Sequence, residues 1–206
     1  MAHIERSQRM FGAMLHHVYL TDDEYAIAEE GGARRYQNAV ERKLRDYLRE
    51  PSEKNHIVGA VGEVAVRLLL RKPVIINSLE FNVADIDPDI QVRCSRSYLP
   101  KVKDTDDPEW IIVGCRWWEK KRNGKPCVTV WGGIRASTAR AEIQKTDPGG
   151  RGRPAHFLHW TDFRDIQPLI DREAKNEDRE IQNPDRQADG DVSTEELDSI
   201  ARGSLF

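Results

Sequence analysis

Between His56 and Leu70 the chain reads Ile-Val-Gly-Ala-Val-Gly-Glu-Val-Ala-Val-Arg-Leu-Leu-Leu after the histidine, and only Glu63 and Arg67 carry charge. A helix that is apolar nearly all round packs inside a domain, against a sheet, because no face of it is suited to water. This segment therefore predicts an α/β domain with a central mixed β-sheet and flanking helices. Gly59 and Gly62 each cost such a helix about 1 kcal/mol, which makes sense where a neighbour approaches closely. The same run is the longest apolar stretch, and its two charges break it well short of a membrane span. The first residues, Met-Ala-His-Ile-Glu-Arg-Ser-Gln-Arg, hold no signal-peptide apolar region, so no membrane partner is expected.

The 206 residues are enough for one domain with a real core and a tail, and we place the boundary at 175/176. The net charge of −3 is unevenly spread. Arg172 to Phe206 holds 5 basic and 10 acidic residues, which leaves residues 1–171 with 27 basic and 25 acidic. The domain is thus nearly neutral, and residues 176–206 read as an acidic, flexible tail. Leu197, Ile200, Leu205 and Phe206 give that tail apolar anchors for a protein partner. The oligomeric state is not legible. Cys94, Cys115 and Cys127 are too widely spaced for a CxxC pair and read as buried strand residues in a reducing compartment.

Along the chain, the first dozen residues read as loosely ordered, followed by a short strand from Met14 to Leu20. Thr21-Asp-Asp-Glu24 is a capping box that opens a helix to about Glu30, which Gly31-Gly32 should break or bend. A second helix is expected from Ala33 to Arg49, with Tyr36, Val40, Leu44 and Leu48 on one stripe. Its Arg34, Arg35, Arg42, Lys43, Arg45 and Arg49 form either a solvated face or a phosphate-binding one. Strands are predicted at Ile90–Ser95, Tyr98–Lys103, Trp110–Trp117 and Cys127–Gly133, with Asn123-Gly124 turning the last two into a hairpin. Trp117 and Trp118 should face opposite ways, one into the core. Ala136–Ile143 is predicted as a short helix, His156–Trp160 as a strand and Asp165–Ala174 as a helix.

Asp85, Asp87 and Asp89 crowd the start of the strand Ile90–Cys94. Gln91 and Arg93, two apart, share one face of it, while Ile90, Val92 and Cys94 point to the core. Oxygen donors gathered in this way suit a hard divalent cation, and a nearby guanidinium suits charge developing on a phosphate. Each part has a plainer reading. Glu63 and Arg67 at i, i+4 make an ion pair, Asp85–Asp89 an Asp/Pro turn, and Gln91 with Arg93 a solvent face. Asp104, Asp106 and Asp107 read as a solvated turn. The Lys120-Lys-Arg-Asn-Gly-Lys125 tip and the Gly-Arg-Gly-Arg loop around Arg151 and Arg153 are candidate nucleic-acid contacts, with solubility as the alternative.

Gly59-Ala-Val-Gly-Glu63 on a helix, then Asp85-Ile and Gln91-Val-Arg93 on a strand, resembles the PD-(D/E)XK nuclease superfamily. It is most similar to uncharacterised phage and prophage proteins with a Gly-x-x-Gly-Glu helix. Asp104-Thr-Asp106, Trp110-Ile-Ile-Val-Gly114 and Gly150-Arg-Gly-Arg-Pro-Ala155 fit the same pattern, and the resemblance spans about Leu20 to Leu169. It implies a restriction-endonuclease-like fold and metal-dependent hydrolysis of DNA with Mg²⁺ or Mn²⁺. Glu63, Asp85 and Gln91 would be the metal ligands, and Arg93 would stabilise the transition state. The setting it implies is the cytoplasm of a phage-bearing host, or a virion. A catalytically silent nucleic-acid-binding or virion protein of the same fold is the alternative. Two positions depart from the family pattern. Gln91 stands where a carboxylate is usual and supplies one negative charge fewer. Arg93 stands where a lysine is usual and cannot act as a base; Lys101 or Lys103 is the candidate replacement amine.

Overall fold

A computed structural model describes residues 3–8, 14–41, 53–76, 84–86, 88–96, 99–118, 125–147 and 154–182, with side chains through residue 176. The fold is α/β. A five-stranded mixed sheet has the order β1-β2-β6-β5-β3, formed by His3–Gln8, Met14–Tyr19, Cys127–Arg135, Ile111–Trp118 and Ile90–Ser95 respectively. All neighbours are antiparallel except β3 and β5, which run parallel with Gln91 opposite Ile112 and Arg93 opposite Gly114. The sequence expectation for the first dozen residues fails at β1, which pairs along the whole of β2. Its sequence, His-Ile-Glu-Arg-Ser-Gln, is polar because β1 is an edge strand, so no apolar alternation marks it.

Helix α1 spans Asp22–Glu41 and α2 spans Glu53–Leu69. The capping box forms as predicted: Thr21 N–H donates to Glu24 Oε2 at 2.8 Å, and Glu24 N–H to Thr21 Oγ1 at 3.3 Å. Gly31-Gly32 do not break α1. They are buried, and they let α1 lie hard against its neighbours. A Cβ built on Gly32 would stand 2.5 Å from the Ile57 Cα, and one on Gly31 would stand 2.6 Å from the Ile76 side chain. The breaker reading failed because the lost propensity is small beside the packing that these two positions permit. Residues 42–50 of the expected second helix lie outside the described residues.

Helix α2 is buried as its composition predicted. Val58, Ala60, Val61, Val64, Ala65, Val66 and Leu69 pack with Ile90, Val92, Val113, Cys115, Val128 and Val130 from one face of the sheet. Gly62 is the point of close approach, since a Cβ there would lie 2.3 Å from the Cys94 Cβ. Gly59 meets nothing within 4 Å, so the expectation holds for only one of the two glycines. The opposite face carries a second core of Val102, Ile112, Ile134, Ala136, Ala139, Leu158 and Phe163. It is closed by α3 (Ala136–Glu142) and a two-stranded sheet of β4 (Lys101–Val102) and β7 (His156–Phe157). The expected strand Tyr98–Lys103 thus shrinks to two residues and pairs with β7, not with β3. Trp117 is buried; Trp118, on the other side, is exposed, with the Arg116 guanidinium 4.0 Å over its ring. The last described helix, α4, runs from Gln167 to Gln182, past the expected boundary at 175. The remaining tail residues lie outside the described residues. No described helix is long and apolar enough to cross a membrane.

Candidate functional site

Strand β3 lies at the edge of the sheet, and that placement builds the site. On its outer side Ile86 and Ile90 exchange backbone hydrogen bonds at 2.9 and 3.0 Å. This short hairpin turns Asp85 back along the strand. Asp85 Oδ2 then accepts the outward N–H of Val92 at 2.8 Å and a short hydrogen bond from the Gln91 amide nitrogen. The even residues of β3 face α2, as predicted, while Gln91 and Arg93 lie on the opposite face. Glu63 therefore does not share a sheet face with Gln91. The two are linked around the edge of the sheet, through Asp85.

Glu63 is buried and meets Arg35 of α1, not Arg67. The two Arg35 amino groups fork onto its two carboxylate oxygens, one in a short contact and the other at 2.7 Å. The plainer alternative of a Glu63–Arg67 pair gives way to the Arg35 fork. Arg67 points down α2 and donates to two backbone carbonyls, Asp85 at 2.8 Å and Pro73 at 3.3 Å. It anchors the Asp85 backbone to the helix that carries Glu63, so each end of one helical turn serves the same loop.

Burial is the largest influence on both acids. Burial, then the nearby Asp85 charge, push the Glu63 carboxyl up to about 7, against the pull of Arg35 and Arg67. Burial also raises Asp85, opposed by Arg93, Arg35, the Val92 N–H and Arg67. On the far side Arg93 donates to Asp106 Oδ1 at 2.8 Å, and Asp106 Oδ2 accepts the Lys103 N–H at 2.9 Å. Lys103 is exposed as a residue, yet partial burial and the like charge of Arg93 lower its ammonium pKa. Four cationic side chains, Arg35, Arg67, Arg93 and Lys103, thus stand within one electrostatic neighbourhood of Asp85.

The donors at this edge, two carboxylates and one amide, are all oxygen-bearing and fit a hard cation. Asp85 Oδ2 takes the hydrogen bonds from both the Gln91 amide and the Val92 N–H. Gln91 fits only after a turn of its amide, because its nitrogen rather than its carbonyl faces Asp85. Among the described residues no three or more His, Cys, Asp or Glu side chains group as a metal site would require. The oxygen set is therefore two acids and an amide, one charge short of a three-acid site.

Asp89 is not part of this set. Arg172 of α4 clamps it with two 2.8 Å contacts, and Arg172 also reaches Glu173 at 2.9 Å, which in turn pairs with Lys72. Asp87 lies outside the described residues. So do Lys120, Lys121, Arg122, Arg151 and Arg153, whereas Lys125 is described and exposed. A cavity lined by Tyr25, Glu29, Arg96 and Trp117 lies towards the other end of β3 and excludes both acids.

Sequence reasoning missed Arg35 and Asp106. Arg35 was one of six basic residues around α1, and nothing in its spacing distinguishes it from Arg34. It also lies 28 residues before its partner. Asp106 read as solvated but is 5% exposed. The local signal for it was the Lys103-to-Asp106 turn, which brings its carboxylate back onto the backbone. Comparison of the chain with family models, with curated proteins and with solved structures finds no match.

Proposed function

We propose that this chain hydrolyses phosphodiester bonds in DNA with the help of Mg²⁺ or Mn²⁺, within the cytoplasm of a phage- or prophage-bearing cell. One observation carries the reading. Two acids from distant parts of the sequence, the buried Glu63 of α2 and the half-buried Asp85 at the β3 edge, stand near enough that the Asp85 charge raises the Glu63 carboxyl pKa. A folded protein tolerates this crowding where a cation relieves it. Bound between them, a divalent cation would supply charge neutralisation and a polarised phosphorus–oxygen bond. Glu63, Asp85 and the turned Gln91 amide would hold it. Arg93, always protonated, would take a phosphate oxygen, and Lys103 would add a second positive group on the same side.

A second reading has its own support. Arg35 already neutralises Glu63, and Gln91 presents its amide nitrogen to Asp85, so the site is satisfied internally. That favours a nucleic-acid-binding protein of the same architecture that cuts nothing. The test is cleavage of plasmid DNA and of single-stranded DNA with Mg²⁺ or Mn²⁺, using the wild type, Glu63→Ala and Asp85→Ala, with folding followed by circular dichroism. The nuclease reading expects metal-dependent cleavage that both folded variants lose. Absence of cleavage by the wild type with either metal, together with salt-sensitive DNA retention, would overturn it in favour of the silent binder.

A further inference from the structure

The sheet face opposite α2 changes character beyond the second core. That core reaches Gly114, where a Cβ would lie 2.2 Å from the Phe163 ring. Further along β5, on the same face, come Arg116 and Trp118. Trp118 is 42% exposed, and its ring is held in place. The indole Nε1–H donates to Thr129 Oγ1 at 3.0 Å, Thr129 Oγ1 meets His17 Nδ1 at 3.0 Å, and His17 Nε2 meets Ser7 Oγ at 2.8 Å. A hydrogen-bonded chain across β5, β6, β2 and β1 thus fixes one indole. The Arg116 guanidinium lies 4.0 Å from the centroid of that ring. Arg116 makes no ion pair or hydrogen bond with a described residue, and its Nε is buried without a partner. A half-buried guanidinium without an acceptor bears a desolvation cost that a cation–π contact offsets only in part, and an incoming anion would complete it. Exposed Lys125 adds positive charge at this end of the sheet, just before Cys127, the β6 partner of Trp118. The acid that β1 brings to this face, Glu5, already accepts the Tyr19 hydroxyl at 2.9 Å.

A fixed, exposed indole beside a guanidinium that lacks a counter-ion suits one class of partner. An unpaired base has a free face to lay on the ring, and its phosphate matches the guanidinium. A base inside a duplex has both faces covered by its neighbours. We propose that the Arg116–Trp118 pair is a platform for single-stranded DNA, on which one base stacks against Trp118 while Arg116 holds a neighbouring phosphate. Arg93 stands on the same face of β3, opposite Gly114, and Ser95 stands opposite Arg116, so the platform continues directly from the candidate site. The proposal rests on the reading that this chain binds DNA. It needs no metal ion, and it is the same whether that DNA is cut or only held.

The measurement is fluorescence anisotropy of a short fluorescein-labelled oligothymidylate, in EDTA and over a range of salt. The full chain is compared as wild type, Trp118→Ala, Trp118→Phe and Arg116→Gln, each checked for folding by circular dichroism. Trp118→Ala should weaken binding about tenfold, and Trp118→Phe, which keeps a ring, should lose less. Arg116→Gln should weaken binding and make the slope of log K against log salt shallower by about 0.7, the value of one phosphate contact on a single strand. A duplex of the same oligothymidylate with oligoadenylate should bind wild type and Trp118→Ala alike. An abasic strand of the same length should bind the wild type about tenfold more weakly than oligothymidylate, a comparison that needs no variant to fold. Oligothymidylate binding unchanged in Trp118→Ala, an abasic strand held as tightly, or a salt slope unmoved in Arg116→Gln overturns the platform and leaves the DNA-binding reading standing. Failure of the wild type to retain any DNA overturns both. Stacking-dependent binding in EDTA without cleavage in Mg²⁺ or Mn²⁺ keeps the platform and sinks the nuclease reading.

Discussion

Two buried glutamates, Glu63 and Glu173, stand in one domain and are treated in opposite ways. Glu173 of α4 has a cation on each side, Lys72 from the end of α2 and Arg172 from its own helix. Arg172 also clamps Asp89 at the start of β3. Two carboxylates and two cations close a brace that ties α4, the end of α2 and the β3 entrance together. Glu63 has one forked guanidinium and faces a second, half-buried acid, Asp85. A closed set of charges is a structural device, because its members neutralise one another. A set with two crowded acids retains a cost in the folded state, which is what the proposed cation would relieve. The brace and the site lie at the same strand, so one stabilises what the other needs in place.

That contrast can be broken by pH, which should move the two regions in opposite directions. The Glu63 carboxyl titrates at about 7 in the folded chain against an ordinary 4.5, so between those values the folded state holds the extra proton. Its contribution is full at pH 4.5 and is lost as pH rises through 7, a fall of about 3 kcal/mol at most. Glu63→Gln should flatten that fall in urea titrations run from pH 4.5 to 8. Asp89 behaves in the opposite sense. Arg172 holds its carboxyl below the ordinary 3.8, so its contribution persists above that value and is lost as pH falls through the lowered one. Arg172→Gln should therefore steepen no loss between pH 5 and 8 but should remove part of the loss below 4.

Truncating the brace comes next in size. Glu173→Ala leaves Lys72 and Arg172 facing a gap where a buried carboxylate stood, and should cost about 2 kcal/mol in chemical denaturation, since both cations keep partial access to water. If Glu63→Ala costs as much at pH 7, the two glutamates are alike and the distinction between brace and site fails. Gly62→Ala should cost a similar or slightly smaller amount, about 1–2 kcal/mol, by pushing α2 away from Cys94. Because the push acts beside Glu63, it should alter Mn²⁺ binding while leaving the acid limb of the pH profile in place. Gly59→Ala gives the smallest effect and the control, a gain of about 0.5–1 kcal/mol in open space on the same helix.

Much of this architecture was legible because its cause is local. The apolar run of α2 announced a buried helix, the Thr21–Glu24 box announced where α1 starts, and β3 came out at its full length, Ile90–Ser95. The outer elements were less so. β1 has no apolar alternation to betray it, and β4 is two residues long and pairs across the second sheet. Glu63, Asp85, Gln91 and Arg93 could be singled out, since their order and spacing are written in the chain. Their partners could not, because Arg35 and Asp106 are ordinary charged residues until the fold carries them to Glu63 and Arg93.

What the residues determined by themselves was which segments must be buried and which acids would be costly there. Burial follows from apolar content, and the cost follows from placing charge beside it. The tertiary structure alone decided how that cost is met. It set β3 at the edge of the sheet, so that Asp85 could turn back onto Val92 and Gln91. It laid α1 against α2 at Gly32, so that Arg35 rather than Arg67 reached Glu63. Charge pairing depends on distance in space, and a separation along the chain does not report that distance until the sheet and helices are packed.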